Sequence, residues 1–313
     1  MHKRRTTFAK RITRVAQAVE TRGVRATYGL NDRLLANRAA RRSFAHARPT
    51  LDELQQRIVD ELRVEGYCVV SYPELVGEER WAALAADADR FVAETEAGLA
   101  REAAGQDAGL RRSTKDYLVR RNAWGVTLPA DDPWLQAALD PRVLDIANTY
   151  LGMWAKVEYV DLWHTPPSDA TERKSSQRWH RDFNDRLLLK AFVYLNDVDE
   201  DSGPFEYVPR SFPGSELGDL WPWWPGYDGY PPDEEFEARM KDVTVKTFTG
   251  TRGTLILCNT SGFHRGGYAT GKPRTLATWT YSSPAALKAL SERNYAVAGE
   301  ASSLPEPARF AIS

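Results

Sequence analysis

Between Lys156 and Ser282 the chain is a succession of short runs rich in β-branched, aromatic and aliphatic residues, joined by irregular polar connections. That pattern limits the architectures open to it. Eight runs read as strands: 156–164, 177–183, 186–195, 204–209, 243–248, 254–260, 262–268 and 274–282. Eight strands so joined suit a jelly roll rather than a parallel α/β sheet, so the expected fold class is mainly β with flanking helices.

The flanking helices come from the first half. Leu51 to Glu65 has Leu51, Leu54, Ile58 and Leu62 on one face, with Thr50 as the expected N-cap. Gly66 to Tyr72 reads as a strand and Glu78 to Ala104 as a long alanine-rich helix. Tyr117 to Asn122 reads as a strand at the barrel mouth, and Pro133–Leu139 and Pro141–Leu151 as short helices. A length of 313 residues fits one jelly roll with helical additions.

Charge is distributed unevenly. Residues 1–50 hold thirteen Lys or Arg against Glu20 and Asp32, so a net charge of −1 conceals a basic leader on an acidic body. The leader reads as a helical extension packed across that body or meeting an acidic partner. Basic stripes with interleaved aromatics are missing from the body, which argues against nucleic acid. No apolar run is long enough to span a membrane, and no signal-peptide core stands near the start. Cys68 and Cys258 lie in apolar runs, as buried free thiols would in a cytoplasmic protein.

Chemistry concentrates in two segments. Trp179-His180-Arg181-Asp182 places a histidine and a carboxylate at i and i+2, and Gly262-Phe263-His264-Arg265-Gly266-Gly267 supplies a second histidine. On an extended segment i and i+2 point the same way. Two imidazoles and one carboxylate on one face of a metal, with the opposite face open, is the arrangement of non-haem iron(II) oxygenases. Arg274, ten residues past His264, opens the last strand and can hold a carboxylate through paired charge-assisted hydrogen bonds. His164 is the competing ligand, but at the end of its run it reads as a hydrogen-bonded strand residue.

These segments resemble the phytanoyl-CoA dioxygenase family of iron(II)/2-oxoglutarate oxygenases. The likeness runs from Trp179–Asp182 through Leu188–Val198, Asp201–Ser211 and Gly253–Leu257 to Gly262–Gly267 and Arg274. It covers roughly residues 60–285 and implies a double-stranded β-helix, the domain being read as 51–313, with iron(II) on His180, Asp182 and His264. It also implies 2-oxoglutarate on Arg274 with Phe192 as a pocket wall, and dioxygen as co-reactant. The expected activity is hydroxylation of an unactivated C–H bond of a small molecule, with release of succinate and carbon dioxide. Two positions depart from the family. Its Pro-Gly-Ser turn often ends in histidine, whereas this chain reads Pro209-Arg210-Ser211-Phe212. A small polar residue often stands two places after the second ligand histidine, whereas this chain has Gly266, so Thr254 or Thr278 is expected to supply the hydroxyl. The metal-binding carboxylate is present, which argues against halogenating relatives. A cupin-type oxygenase without 2-oxoglutarate and a non-catalytic jelly-roll binding protein are the alternatives.

Residues 213–241 interrupt the strands with Trp221-Pro222-Trp223-Trp224-Pro225-Gly226-Tyr227-Asp228-Gly229-Tyr230. So long and aromatic a connection reads as a lid over the metal mouth, with Trp221 and Trp224 against substrate. Arg120, Arg121, Arg181 and Lys190 are the candidate partners of an anionic substrate.

Overall fold

The structure is a computed structural model that describes residues 32, 35–112, 115–122, 125–169, 172–221, 230–286, 295–299 and 301–313. Most of the basic leader, together with Trp224, lies outside the described residues.

Four helices open the described chain: α1 (Arg38–His46), α2 (Glu53–Glu65), α3 (Tyr72–Val76) and α4 (Glu78–Ala103). Strand β1 (Tyr67–Ser71) stands between α2 and α3, and β2 (Val119–Arg120) and β3 (Val126–Pro129) follow α4. Then come α5 (Pro133–Ala138) and α6 (Pro141–Leu151). Helix α2 starts two residues later than Thr50 capping would require, because Asp52 and Gln55 satisfy one another's backbone N–H groups in a capping box. The second half carries β4 (Lys156–Thr165), β5 (Leu189–Tyr194), β6 (Phe205–Tyr207), helix α7 (Asp233–Met240), β7 (Lys246–Phe248), β8 (Thr254–Cys258), β9 (His264–Gly266) and β10 (Arg274–Ser282). Strand β11 (Tyr295–Ala298) and helix α8 (Glu306–Ile312) complete it.

Six strands form the major sheet, in the order β1-β8-β5-β10-β4-β2, all antiparallel. A minor sheet, β7-β6-β9, faces it. Together they make the jelly roll. The two-residue period decides what each face does. Leu189, Ala191 and Val193 of β5, Ala277, Trp279 and Tyr281 of β10, and Leu255 and Leu257 of β8 join the main core under the helices. Ala40 and Phe44 of α1 belong to that same core, so this part of the expected extension is built into the body. The alternate residues Lys190, Phe192 and Tyr194, Arg274 and Leu276, and Ile256 and Cys258 face the minor sheet. There Phe192, Tyr194, Ile256, Cys258 and Leu276 pack with Phe205, Tyr207 and Phe248.

The expected strand over 177–183 is realised differently. Ser175–Gln177 forms a 3-10 turn, and His180 makes a single antiparallel bridge to His264. Pairing stops there because the opposing chain turns at Asn259–Gly262, where Gly262 N–H bonds to Asn259 instead of a partner strand. Among the described residues no helix is long and apolar enough to cross a membrane. Cys68 and Cys258 are free and buried.

Candidate metal centre

His180 and His264 exchange both backbone hydrogen bonds at 3.0 Å, which brings their rings to 4.2 Å between centroids. The Asp182 N–H bonds to the Thr260 carbonyl at 2.9 Å, holding the segment extended so that Asp182 points to the same side as His180. One ligand atom from each of His180, Asp182 and His264 lies within 4.8 Å of the others.

The protonation state of this cluster follows from its hydrogen bonds. His180 Nδ1 lies 2.9 Å from the Arg178 carbonyl, and His264 Nδ1 lies 3.0 Å from the Gly262 carbonyl. A carbonyl only accepts, so each Nδ1 carries the proton and each Nε2 is left as a lone-pair donor. Burial holds both imidazoles below their ordinary range, and His264 beside His180 adds to the effect there. Burial alone would raise the Asp182 carboxyl, but the charge of Lys190 beside it outweighs burial and holds it well below the usual carboxylate range. The set is thus two neutral imidazoles and one carboxylate, the protonation state that metal binding requires. Asp182 Oδ2 is buried without an aligned hydrogen bond, although Lys190 Nζ stands 2.7 Å away and His264 Nε2 3.7 Å away. A buried carboxylate oxygen beside two imidazole Nε2 atoms suits a divalent cation.

The cluster opens into a cavity of about 250 Å³ between the two sheets. Phe192 and Phe205 form one wall, and Tyr117, Tyr159, Trp163 and Tyr230 contribute others. Arg274 lines the same cavity at 7% exposure. Its Nη1 donates to the Gly203 carbonyl, its Nε has no hydrogen-bond partner, and among the described residues it makes no ion pair. Gly203 delivers that carbonyl from a left-handed turn (φ 66°), where a side chain would collide with the backbone of Tyr268. Gly266 abuts the guanidinium, since a Cβ there would stand 3.3 Å from Arg274 Nη2. A buried guanidinium lacking an anion is costly, and a bound carboxylate removes that cost.

Other expected site residues fall into two groups. Lys190 and Arg120 line the cavity. Arg120 is already paired, its Nε 2.5 Å from Asp161 Oδ2 and its Nη2 bonded to the Tyr159 hydroxyl. Five of the expected residues are not part of its lining. Arg181 spends its guanidinium on the carbonyls of Trp221, Ser211 and Gly218 and lies over the Phe263 ring. Arg121 is bound to Asp87 of α4, which also accepts from the Trp134 indole. Trp221, 8% exposed, packs with Trp179, Val208, Phe236 and Phe263 in a separate small core. Thr254 stands at the start of β8, paired with Ser71 and beside Gly250, away from the cavity lining. Thr278 is buried on the inner face opposite Phe192, but it too is not part of the lining.

Tyr117 and Ser176 also line the cavity, their hydroxyls 2.6 Å apart. Tyr230, from the aromatic insertion, stacks on His180 with centroids 5.1 Å apart and planes at 15°. None of the three carried a motif. Each stands in a turn or loop, where no periodicity fixes direction; the signals were the aromatic density around Tyr230 and the placing of Tyr117 in the expected strand 117–122 at the barrel mouth, of which only Val119–Arg120 is a strand. His164 is on the opposite face of β4, bonded to Thr275 Oγ1 at 2.9 Å, and is no ligand.

No family model matches the chain, and no curated protein matches it. Solved structures do. The crystal structure of EctD from S. alaskensis with 2-oxoglutarate and 5-hydroxyectoine superposes with a TM-score of 0.50 at 21% identity, over 72% of this chain and 75% of that one. The epimerase SnoN in complex with Fe3+, alpha ketoglutarate and nogalamycin RO gives 0.49 at 19% identity, over 74% and 84%. HygX from Streptomyces hygroscopicus with nickel, 2-oxoglutarate and hygromycin B bound gives 0.46 at 18% identity, over 74% and 88%. The fold of this chain is therefore the jelly roll found in the 2-oxoglutarate-bound EctD structure.

Proposed function

We propose that this chain is an iron(II)- and 2-oxoglutarate-dependent oxygenase of the phytanoyl-CoA dioxygenase type, hydroxylating a small molecule. One observation carries the reading: Arg274, a buried guanidinium that makes no ion pair among the described residues, shares a cavity with the deprotonated ligand set of His180, Asp182 and His264. A metal-dependent oxygenase without 2-oxoglutarate would have no use for that guanidinium.

In this reading His180 and His264 offer Nε2 and Asp182 an oxygen to the metal, and Arg274 receives the distal carboxylate of the cosubstrate. When bound, iron and 2-oxoglutarate supply the oxidising power to cleave a C–H bond, with succinate and carbon dioxide as co-products. The protein's own part is positional. Phe192 and Phe205 close the inner wall against water, the Tyr117 and Ser176 hydroxyls stand near the Arg274 end, and Tyr230 covers the outer side of His180. The free buried thiols of Cys68 and Cys258 suit a reducing, cytoplasmic setting.

The test is an anaerobic titration with iron(II) or manganese(II), then with 2-oxoglutarate, followed by succinate release across a metabolite panel. The expected result is one metal per chain, 2-oxoglutarate binding only to the metal-loaded protein, and substrate-stimulated succinate. Metal binding with indifference to 2-oxoglutarate would replace the proposal by the cupin-type reading, and no metal binding would sink both.

A further inference from the structure

Arg178, two residues before the first metal ligand, acts on the centre in two ways. Its backbone carbonyl lies 2.9 Å from His180 Nδ1 and so aims that imidazole. Its side chain reaches across to the end of the aromatic insertion. Nε donates to both carboxylate oxygens of Asp233 at 3.1 Å, and Nη2 donates to the Pro231 carbonyl at 3.2 Å. The guanidinium carbon also stands 5.6 Å from the centre of the Tyr230 ring. One side chain thus grips the stretch from Tyr230 to Asp233.

That grip holds the ring over His180. Tyr230 lies nearly parallel to the His180 imidazole and lines the cavity. After it Pro231 and Pro232 restrict the backbone, so Tyr230 and Asp233 are joined by a short, stiff link. Beyond Asp233, helix α7 is anchored separately by Phe236, which is fully buried against Trp179 and Phe263. Releasing Arg178 therefore frees Tyr230 while α7 stays docked. The turn that carries Arg178 is also fixed on its own, with the Arg178 N–H bonded to the Ser175 carbonyl at 3.0 Å. The side chains of Arg178 and Asp233 are 32% and 54% exposed, so removing either leaves no buried charge behind.

We propose that Arg178 is a positioning residue of the metal centre: its side chain seats Tyr230 on His180, and metal affinity depends on that seating. The aromatic insertion is coupled to the ligand set through this clasp. The inference deepens the metal reading above, on which only its metal-binding test rests.

The experiment uses the full chain, first metal-free and then with manganese(II). The imidazole signals of the five histidines are followed by NMR, and that of His180 is identified as the one missing from H180Q. In Y230A the His180 signal is expected to move, because the ring stacked on it is gone. R178M keeps the carbonyl and removes the guanidinium, and it is expected to move the signal the same way. Manganese(II) is then titrated by calorimetry. R178M and Y230A are each expected to bind it several-fold more weakly. The R178M/Y230A double variant is expected to bind it no more weakly than Y230A, since both changes act through one ring. D233N is expected to give a smaller loss in the same direction, and it takes the place of R178M if that variant fails to fold. R178K restores a cation opposite Asp233 and is expected to recover part of the loss. An unmoved His180 signal or unchanged manganese(II) affinity in R178M, or losses that multiply in the double variant, overturns the proposal. Failure of wild type to bind manganese(II) overturns the metal reading instead, and the His180 signal alone then judges whether Arg178 seats Tyr230.

Discussion

Arg274 can be examined one group at a time. Its guanidinium lies on the inner face of β10 and makes no contact with His180, Asp182 or His264 that would tie it to metal binding, so R274Q is expected to bind manganese(II) like wild type. Its 2-oxoglutarate affinity should fall about 10–100-fold, the worth of a charge-assisted contact, read by calorimetry on the metal-loaded protein. His164 gives a second test at this scale. Burial pushes its imidazole down to about 4, so it stays neutral in the fold while an unfolded chain takes up a proton below about 6.5. The unfolded state therefore binds more protons between those values, and stability is lost as pH falls through that window. Wild type should lose up to about 2 kcal/mol from this residue between pH 7 and pH 5, and H164N should lack that part of the slope in denaturant titrations at the two pH values. Some residues were legible in the sequence and others were not. His180 and Asp182 could be placed on one side because both belong to an extended segment with a fixed parity. Arg181, between them, points away as parity requires, but sequence could not say that three carbonyls would meet it there.

The aromatic insertion serves two purposes that its composition ran together. Its first tryptophan supports the base of the jelly roll, and its tyrosine at position 230 reaches the metal cluster. W221A is expected to lower the unfolding free energy by about 3–5 kcal/mol, as large-to-small core changes do, with unaltered metal affinity in the folded fraction. Y230A should instead leave stability nearly unchanged and shift manganese(II) affinity several-fold through loss of the His180 stack, worth about 0.5–1.5 kcal/mol. Chemical denaturation and metal titration on the two variants separate these outcomes, and the reverse pattern would restore the lid role to Trp221. Strand positions were legible for β4, β5, β8 and β10 because their alternation is strong. The segment at 177–183 was legible in direction but not in type, since the turn at Asn259–Gly262 that ends its pairing lies some eighty residues away.

Across the whole molecule, the major sheet divides labour between its two faces. The outer face is nearly all aliphatic and aromatic and is covered by helices, whereas the inner face combines the smaller apolar cluster around Phe205 with charge and hydroxyls between the sheets. Folding free energy comes mainly from the first, so the second is at liberty to hold an unbalanced guanidinium and a metal-ready cluster. Ligands that complete the inner face should then stabilise the whole: manganese(II) with 2-oxoglutarate, each at about 100 times its dissociation constant, should add about 2.7 kcal/mol per independently bound ligand. Calorimetric melting of wild type should show this as an upward shift, and D182A should show none. The fold was legible because the apolar face repeats on every strand. The cavity was less so, because part of its wall, Tyr117, Ser176 and Tyr230, comes from turns and loops that no period governs.

Each ligand histidine donates its Nδ1 proton to the carbonyl two residues before it, so the aim of both imidazoles is written into tripeptides rather than borrowed from distant neighbours. Descendants of such a chain can rebuild the surrounding walls for new molecules, loop by loop, without retuning the grip at the centre.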